Sequence, residues 1–303
     1  MYSAARGGFS AILRQAAVAQ RSHLSSANTK KIPRRRGEYL YGVAPCLAAL
    51  HTGKRQIYNI FLKSAVGTRT SELKSTALSE VRRYAERRRM EIHYVSKETL
   101  ERMSSKRPHQ GIVLDVSPLS CRKMDLGDCR LEKDILSERL PVWLALDGIQ
   151  DPMNFGAILR AAFFLGADRV ITTARNCCSL SPVVSKASSG AMEMTTVFSI
   201  SDMSGFLSTA QSHGWEVVGT CSPEAVDKLT PIPVQDVTHY RLRSPTMLVL
   251  GNEGYGVRKE LSRSCTALLT IPPLRPLPPG FDSLNVGVAA GIILHCLQTS
   301  QQT

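Results

Sequence analysis

The chain has 303 residues, 43% hydrophobic and 21% charged, a composition that can bury ordinary cores and argues against wholesale disorder. No charge-free apolar run reaches the ~20 residues of a membrane-spanning helix; the longest, residues 284–297, holds Asn285 and His295, so membrane insertion is excluded. Lys and Arg number 38 against 25 Asp and Glu, a formal charge of +13, which favours a polyanionic partner, RNA or DNA.

Part of that charge is local. Residues 1–37 hold eight basic residues and no carboxylate, leaving 30 basic against 25 acidic residues in the rest. On a wheel of ~100° per residue, Arg6, Arg14 and Arg21 share one sector, and Ala5, Phe9, Ile12 and Ala16 another. An amphipathic, Arg-rich, acid-free start has the character of a mitochondrial transit peptide, which predicts a matrix protein. A disordered basic arm that touches RNA is the alternative.

Residues 38–116 read as a small α/β domain. Residues 46–50 are apolar at helical spacing, and 57–62 alternate as a strand. Residues 71–89 predict a strongly basic helix, and 92–95 and 111–116 two further strands. Arg82, Arg83, Arg87 and Arg88 line the end of that helix. Either they form a solvated face or, with His109 and Gln110, they contact RNA. Residues 117–140 have mixed charge and no clear period and read as a linker.

A second domain spans residues 141–303. Strands are predicted at 142–146, 170–172, 215–220 and 247–250, with helices at 154–165 and 284–297. Strands separated by helices imply a mainly parallel sheet, with ligands at the carboxyl ends of its strands. The eight cysteines include no C-x-x-C pair, and no Cys/His pattern has zinc spacing, so no metal is expected.

Three segments carry chemistry. In Asp151-Pro-Met-Asn-Phe-Gly-Ala-Ile-Leu-Arg160, Asn154 is a natural helix cap. Arg160 is a lone cation among apolar residues, there to act on a ligand or to snorkel out of the helix. In Leu248-Val-Leu-Gly-Asn-Glu-Gly-Tyr-Gly256 an apolar strand runs into a glycine-rich loop, where glycine allows close backbone approach. Glu253 in that loop is either functional or an exposed turn residue, and the pattern is not the dinucleotide fingerprint. After Ile271-Pro-Pro, the run Asp282-Ser-Leu-Asn-Val-Gly offers Ser283 as a helix cap with Asn285 in the first turn. Gly287 and Gly291 make a flat groove for another helix, or serve core packing.

In this order and spacing the three segments resemble the SpoU/TrmH family of RNA ribose 2'-O-methyltransferases, within the SPOUT superfamily. The stretch from Tyr41-Gly42 to His109-Gln110-Gly111-Ile112 is similar to that family's L30e-like substrate-binding domain. The resemblance implies a C-terminal SPOUT domain threaded as a deep trefoil knot, with S-adenosylmethionine as methyl donor and an active site at a homodimer interface. Carried over by motif, Gly251, Ile271 and Leu284 belong to the donor pocket. Asn154, Arg160, Glu253, Ser283 and Asn285 form the catalytic set. Together with the leader it implies methylation of a guanosine in mitochondrial large-subunit rRNA; the alternative is an inactive RNA-binding assembly factor on the same fold. One departure is the 272–282 loop, longer than the family's common form.

Overall fold

The computed structural model describes residues 32–64, 72–130 (backbone alone at 72–75), 139–223, 232–252, 256–278, 280–281 and 283–301. Two sheets organise them. The smaller contains β1 (Glu38–Tyr41), β2 (Ile57–Lys63), β3 (Ile92–Val95) and β4 (Ile112–Val116) in the order β1-β4-β2-β3. β4 runs antiparallel to β1 and β2, and β3 parallel to β2. Helices α1 (Val43–Thr52) and α2 (Glu72–Arg88) cover one face, where Leu40, Cys46, Ala49, Ile60, Val81, Ala85 and Leu114 form a core. Helix α3 (Lys97–Met103) closes the other face over Tyr41, Phe61, Leu100 and Val113. With helices on both faces, every residue of β4 is buried.

The predicted leader lies outside the described residues as far as 31. Its last residues are tied to the small sheet: the backbone N–H groups of Arg36 and Gly37 donate to the two carboxylate oxygens of Asp115 at 2.8 and 2.9 Å. The Arg36 guanidinium stacks over Tyr58, 4.6 Å from its ring centre.

The larger sheet is parallel throughout. It contains β5 (Arg122–Lys123), β6 (Val142–Leu146), β7 (Arg169–Thr173), β8 (Val197–Ile200), β9 (Glu216–Thr220), β10 (Val234–Asp236), β11 (Thr246–Leu250) and β12 (Ala267–Thr270). Their order is β10-β12-β9-β11-β6-β7-β8-β5. β6 and β11 are buried at every position, as a parallel sheet covered on both sides requires. One side carries α4 (Pro152–Phe164), α5 (Pro182–Ala187), α6 (Ala191–Met194) and α9 (Val286–Thr299). The other carries α7 (Met203–Ser212) and α8 (Lys259–Ser262). Part of the segment expected as a linker belongs to this fold. Arg122 and Lys123 pair with β8, and the Trp215 indole N–H donates to the Cys129 carbonyl at 2.7 Å.

From β6 the chain adds β7 and β8 on one side, then crosses to build β9 to β12 on the other. The switch point lies between β6 and β11, where open α/β sheets hold ligands. Among the described residues no helix is long and apolar enough to cross a membrane.

Candidate active site

Pro152 occupies the first turn of α4, where its fixed φ suits the helix and its missing N–H is not needed. The cap is therefore Asp151 rather than the expected Asn154: the Asp151 carboxylate accepts the Asn154 N–H at 3.0 Å. Asn154 stands inside the first turn of the helix. At the start of α9, Asn285 rather than Ser283 is the cap, its Oδ1 accepting from the N–H groups of Gly287 (2.9 Å) and Val288 (3.4 Å).

These two corrections lead to one contact. With Oδ1 committed to its own helix, Asn285 donates from Nδ2 to Oδ1 of Asn154 at 2.8 Å. The N-termini of α4 and α9 are thereby joined at their tips. Along the shared seam a Cβ on Gly287 would come within 2.7 Å of the Ala157 Cβ, and one on Gly291 within 3.9 Å of the Ala161 Cβ. The small-residue groove is thus filled by α4 of the same chain and is not left for another.

Arg160 is exposed on α4, ~9 Å along the axis from Asn154 at ~1.5 Å per residue. No hydrogen bond or ion pair joins it to another described residue. Phe163 and Phe164 (85% exposed) follow it on α4, and Val288 and Ile292 are exposed on α9.

The loop after β11 folds back on itself. Asn252 accepts the Gly256 N–H at 2.8 Å, and a Cβ on Gly251 would lie 2.1 Å from the Gly256 oxygen, so only glycine fits. The Asn252 amide donates to the Gly148 carbonyl at 3.0 Å. Asp147 and Arg258, which the motifs did not single out, make a two-pronged pair at 2.6 Å. Hydrogen bonding to Asp147 raises the Arg258 pKa. A crevice of about 490 Å³ opens at the switch point, lined by Asp147, Thr173, Asn176, Ser201, Asn252 and Arg258 among others. Ile271 and Leu284 do not line it. Ile271 follows β12 half-buried and Leu284 precedes α9 with 44% exposure. Beside Ile271, the buried Thr270 hydroxyl has no partner among the described residues. Ser283 is exposed, and Glu253 lies outside the described residues.

Burial pushes Cys121 and Cys178 up to about 11 and Cys265 up to about 12. These three remain thiols at neutral pH and are poor nucleophiles. Among the described residues no cluster of His, Cys, Asp or Glu has the form of a metal site.

On the small domain, Arg82, Arg83, Arg87 and Arg88 are exposed on α2, while Ala77, Val81 and Ala85 face the core. A groove of about 410 Å³ between α1 and α2 is lined by His51, Glu80, Arg83, Tyr84, Arg87 and Arg88, with Leu47 and Leu50. His109 and Gln110 do not join this face. His109 is buried, its Nδ1 accepting the Gly111 N–H at 3.0 Å. The Gln110 Oε1 accepts from the Val43 N–H (3.1 Å) and from Lys186 of the large domain (2.7 Å). Both side chains are committed within the chain.

Residues 141–295 match the SpoU rRNA methylase family, and residues 39–121 match RNA 2'-O ribose methyltransferase substrate binding. The chain is 43% identical over 269 residues to "rRNA methyltransferase 1, mitochondrial" of Homo sapiens, covering 88% of this chain and 74% of that one. It is 35% identical over 186 residues to a 23S rRNA (guanosine-2'-O-)-methyltransferase of Pseudomonas syringae, covering 61% and 68%. In fold it is similar to the AdoMet-bound rRNA methyltransferase of Sinorhizobium meliloti, with a TM-score of 0.61 at 20% identity over 97% of this chain and 95% of that one. With its methylase half and its small domain both matched, the chain belongs to the SpoU rRNA methylase family.

Proposed function

We propose that this protein transfers a methyl group from S-adenosylmethionine to the ribose 2'-hydroxyl of a guanosine in mitochondrial large-subunit rRNA. The names of the human and bacterial relatives support rRNA, ribose and guanosine. The mitochondrial relatives and the acid-free leader support import to the matrix. The observation that carries the catalytic reading is the Asn285–Asn154 bond, which joins two of the three motifs beside an arginine with no described partner.

The residues present fit the donor. A Thr270 hydroxyl without a partner among the described residues, the exposed apolar Leu284 and the close-folded Gly251 offer the apolar and backbone surface that an adenosyl group needs. When bound, the donor supplies an electrophilic methyl carbon. The protein has then to align the ribose oxygen with that carbon and lower the cost of losing the hydroxyl proton. Arg160, with its planar fork of donors, stabilises the developing alkoxide and grips the neighbouring phosphate. Asn154, Ser283 and Asn285 orient the ribose by hydrogen bonds, and Glu253 orients the loop. The α2 arginines hold the RNA backbone from residues 38–116.

Two further parts of this reading concern assembly. The exposed apolar side chains of Phe163, Phe164, Val288 and Ile292 support a homodimer formed around Arg160. The insertion of β11 between β6 and β9 and the return of α9 to α4 support the family's trefoil knot. Incubation with labelled S-adenosylmethionine and mitochondrial rRNA tests the whole reading: digestion should release labelled 2'-O-methylguanosine. Tight RNA binding with no label would instead favour the inactive assembly factor.

A further inference from the structure

Helices α5 and α6, residues 182–194, sit between the small domain and the helix that carries Asn154 and Arg160. On the small-domain side lies a buried polar joint. The Arg55 guanidinium, its side chain fully buried, donates to both carboxylate oxygens of Glu193 at 2.7 and 3.0 Å. Its remaining nitrogen donates to the Ser117 carbonyl at 2.7 Å and to Glu38. Glu193, equally buried, also accepts from the Ser185 hydroxyl at 2.7 Å. Burial works to lower the Arg55 pKa, but the hydrogen bonds it donates to Glu193 and Glu38, with their charges, raise it overall. Around this centre, Lys54 donates to the Met194 carbonyl at 2.9 Å and Lys186 to Gln110 at 2.7 Å. Gly190, at φ 87°, lies so near α1 that a Cβ would be 2.9 Å from the Ala44 carbonyl oxygen.

On the other side, the same segment presses against α4. A Cβ on Gly156 would come within 2.5 Å of the Ala187 Cβ and 3.0 Å of the Ser188 nitrogen. The path from α1 through residues 182–194 to α4 is therefore continuous and close-packed.

A buried ion pair adds little net stability, because apolar side chains of the same volume would hold the surfaces as well. It does impose direction: a planar fork meeting a carboxylate has one good geometry. We propose that Arg55 and Glu193 are positioning residues for methyl transfer. They hold the RNA-gripping small domain in fixed register with the catalytic helix, acting through residues 182–194. This rests on the methyltransferase reading above. An RNA held by the α2 arginines then presents its ribose to Arg160 and Asn154 at a set distance, and a misplacement of about 1 Å costs ~10²-fold in rate.

The test uses the full chain and two RNAs: a long rRNA fragment that reaches both domains, and a short oligonucleotide that covers the target alone. In Glu193→Gln, single-turnover transfer at saturating long RNA should fall at least tenfold. Transfer to the short RNA should match wild type, and S-adenosylmethionine affinity should stay within twofold. Ser185→Ala, a milder cut in the same joint, should show the same pattern at about threefold. Long-RNA transfer within twofold of wild type in both variants overturns the proposal. So does an equal fall on both RNAs, or loss of donor binding, either of which marks a merely structural joint. Failure of wild type to methylate either RNA refutes the methyltransferase reading instead, and hydrogen exchange then decides the coupling. Exchange in Glu193→Gln should rise together in residues 43–52 and 152–164; a rise confined to the 190–195 stretch overturns it.

Discussion

The joint around Arg55 and the seam around Arg160 use the same side chain in contrasting ways. Arg55 is buried and donates to Glu193, Glu38 and the Ser117 carbonyl. Arg160 is exposed, without a described partner, ~9 Å along α4 from the asparagine pair at ~1.5 Å per residue. A guanidinium with its donors matched is a structural fastener, because moving it strands a buried charge. In the proposed function, the one left open is the group that meets what arrives: RNA, a second chain, or both. The chemistry of the two sites is thus distinguished by what remains unsatisfied, since residue type is the same.

That contrast can be broken first at the seam. Gly287→Leu would drive a large side chain into Ala157, already 2.7 Å from a single added Cβ. Overpacking of this kind costs about 1–3 kcal/mol. It also separates Asn285 from Asn154, so transfer should fall below detection while calorimetry shows a folded, destabilised protein. Asn285→Ala is gentler. It removes a helix cap worth about 1 kcal/mol together with the Asn154 bond. Transfer should drop well over tenfold, with melting only slightly lower; equal transfer in this variant would reduce the asparagine pair to a helix cap.

The small domain sharpens the comparison through its open arginines. Replacing Arg87 and Arg88 by alanine should weaken binding of different RNA sequences alike. It should make the salt dependence of affinity shallower by about 0.7 in logarithmic slope per lost single-strand phosphate contact. An unchanged slope in a salt titration would return the pair to a solvated face. The smallest effect belongs to His109, whose pKa burial lowers. The fold therefore prefers the neutral ring. Its contribution is complete above the unfolded pKa of ~6.5, and is lost as pH falls from there through the folded value. Denaturation as a function of pH should show this acid-side loss, and His109→Gln should flatten it.

Much of the fold was legible because burial writes itself into composition. Residues 142–146 became β6 and residues 246–250 became β11, both apolar runs buried on two faces. Three-to-seven-residue elements such as α3 and β10 escaped, being too short to show a period. The caps were misplaced by a choice between neighbours. Asp151 and Asn154 are both capable caps, and Pro152, which fixes the first turn, was the available signal for Asp151. Ser283 and Asn285 posed the same choice without such a signal. His109 and Gln110 were read with the α2 arginines, which lie on another face, and Gln110, at φ 56°, serves the turn into β4 and the contact to Lys186. Arg55 and Glu193 could not be read at all: 138 residues apart, neither lies in a motif, and only folding brings them together.

The central claim is that the open seam at Arg160 is where the ribose reacts. Single-turnover methyl transfer and S-adenosylmethionine affinity, measured on the same preparation of Arg160→Ala, test it most directly. Loss of one preorganised electrostatic contact should cut transfer by ~10²–10³ and leave donor affinity unchanged. Arg160→Lys, which keeps the charge but not the planar fork, should stay severely impaired. Near-normal transfer by the alanine variant would contradict the account and make Arg160 an arginine that merely reaches for solvent.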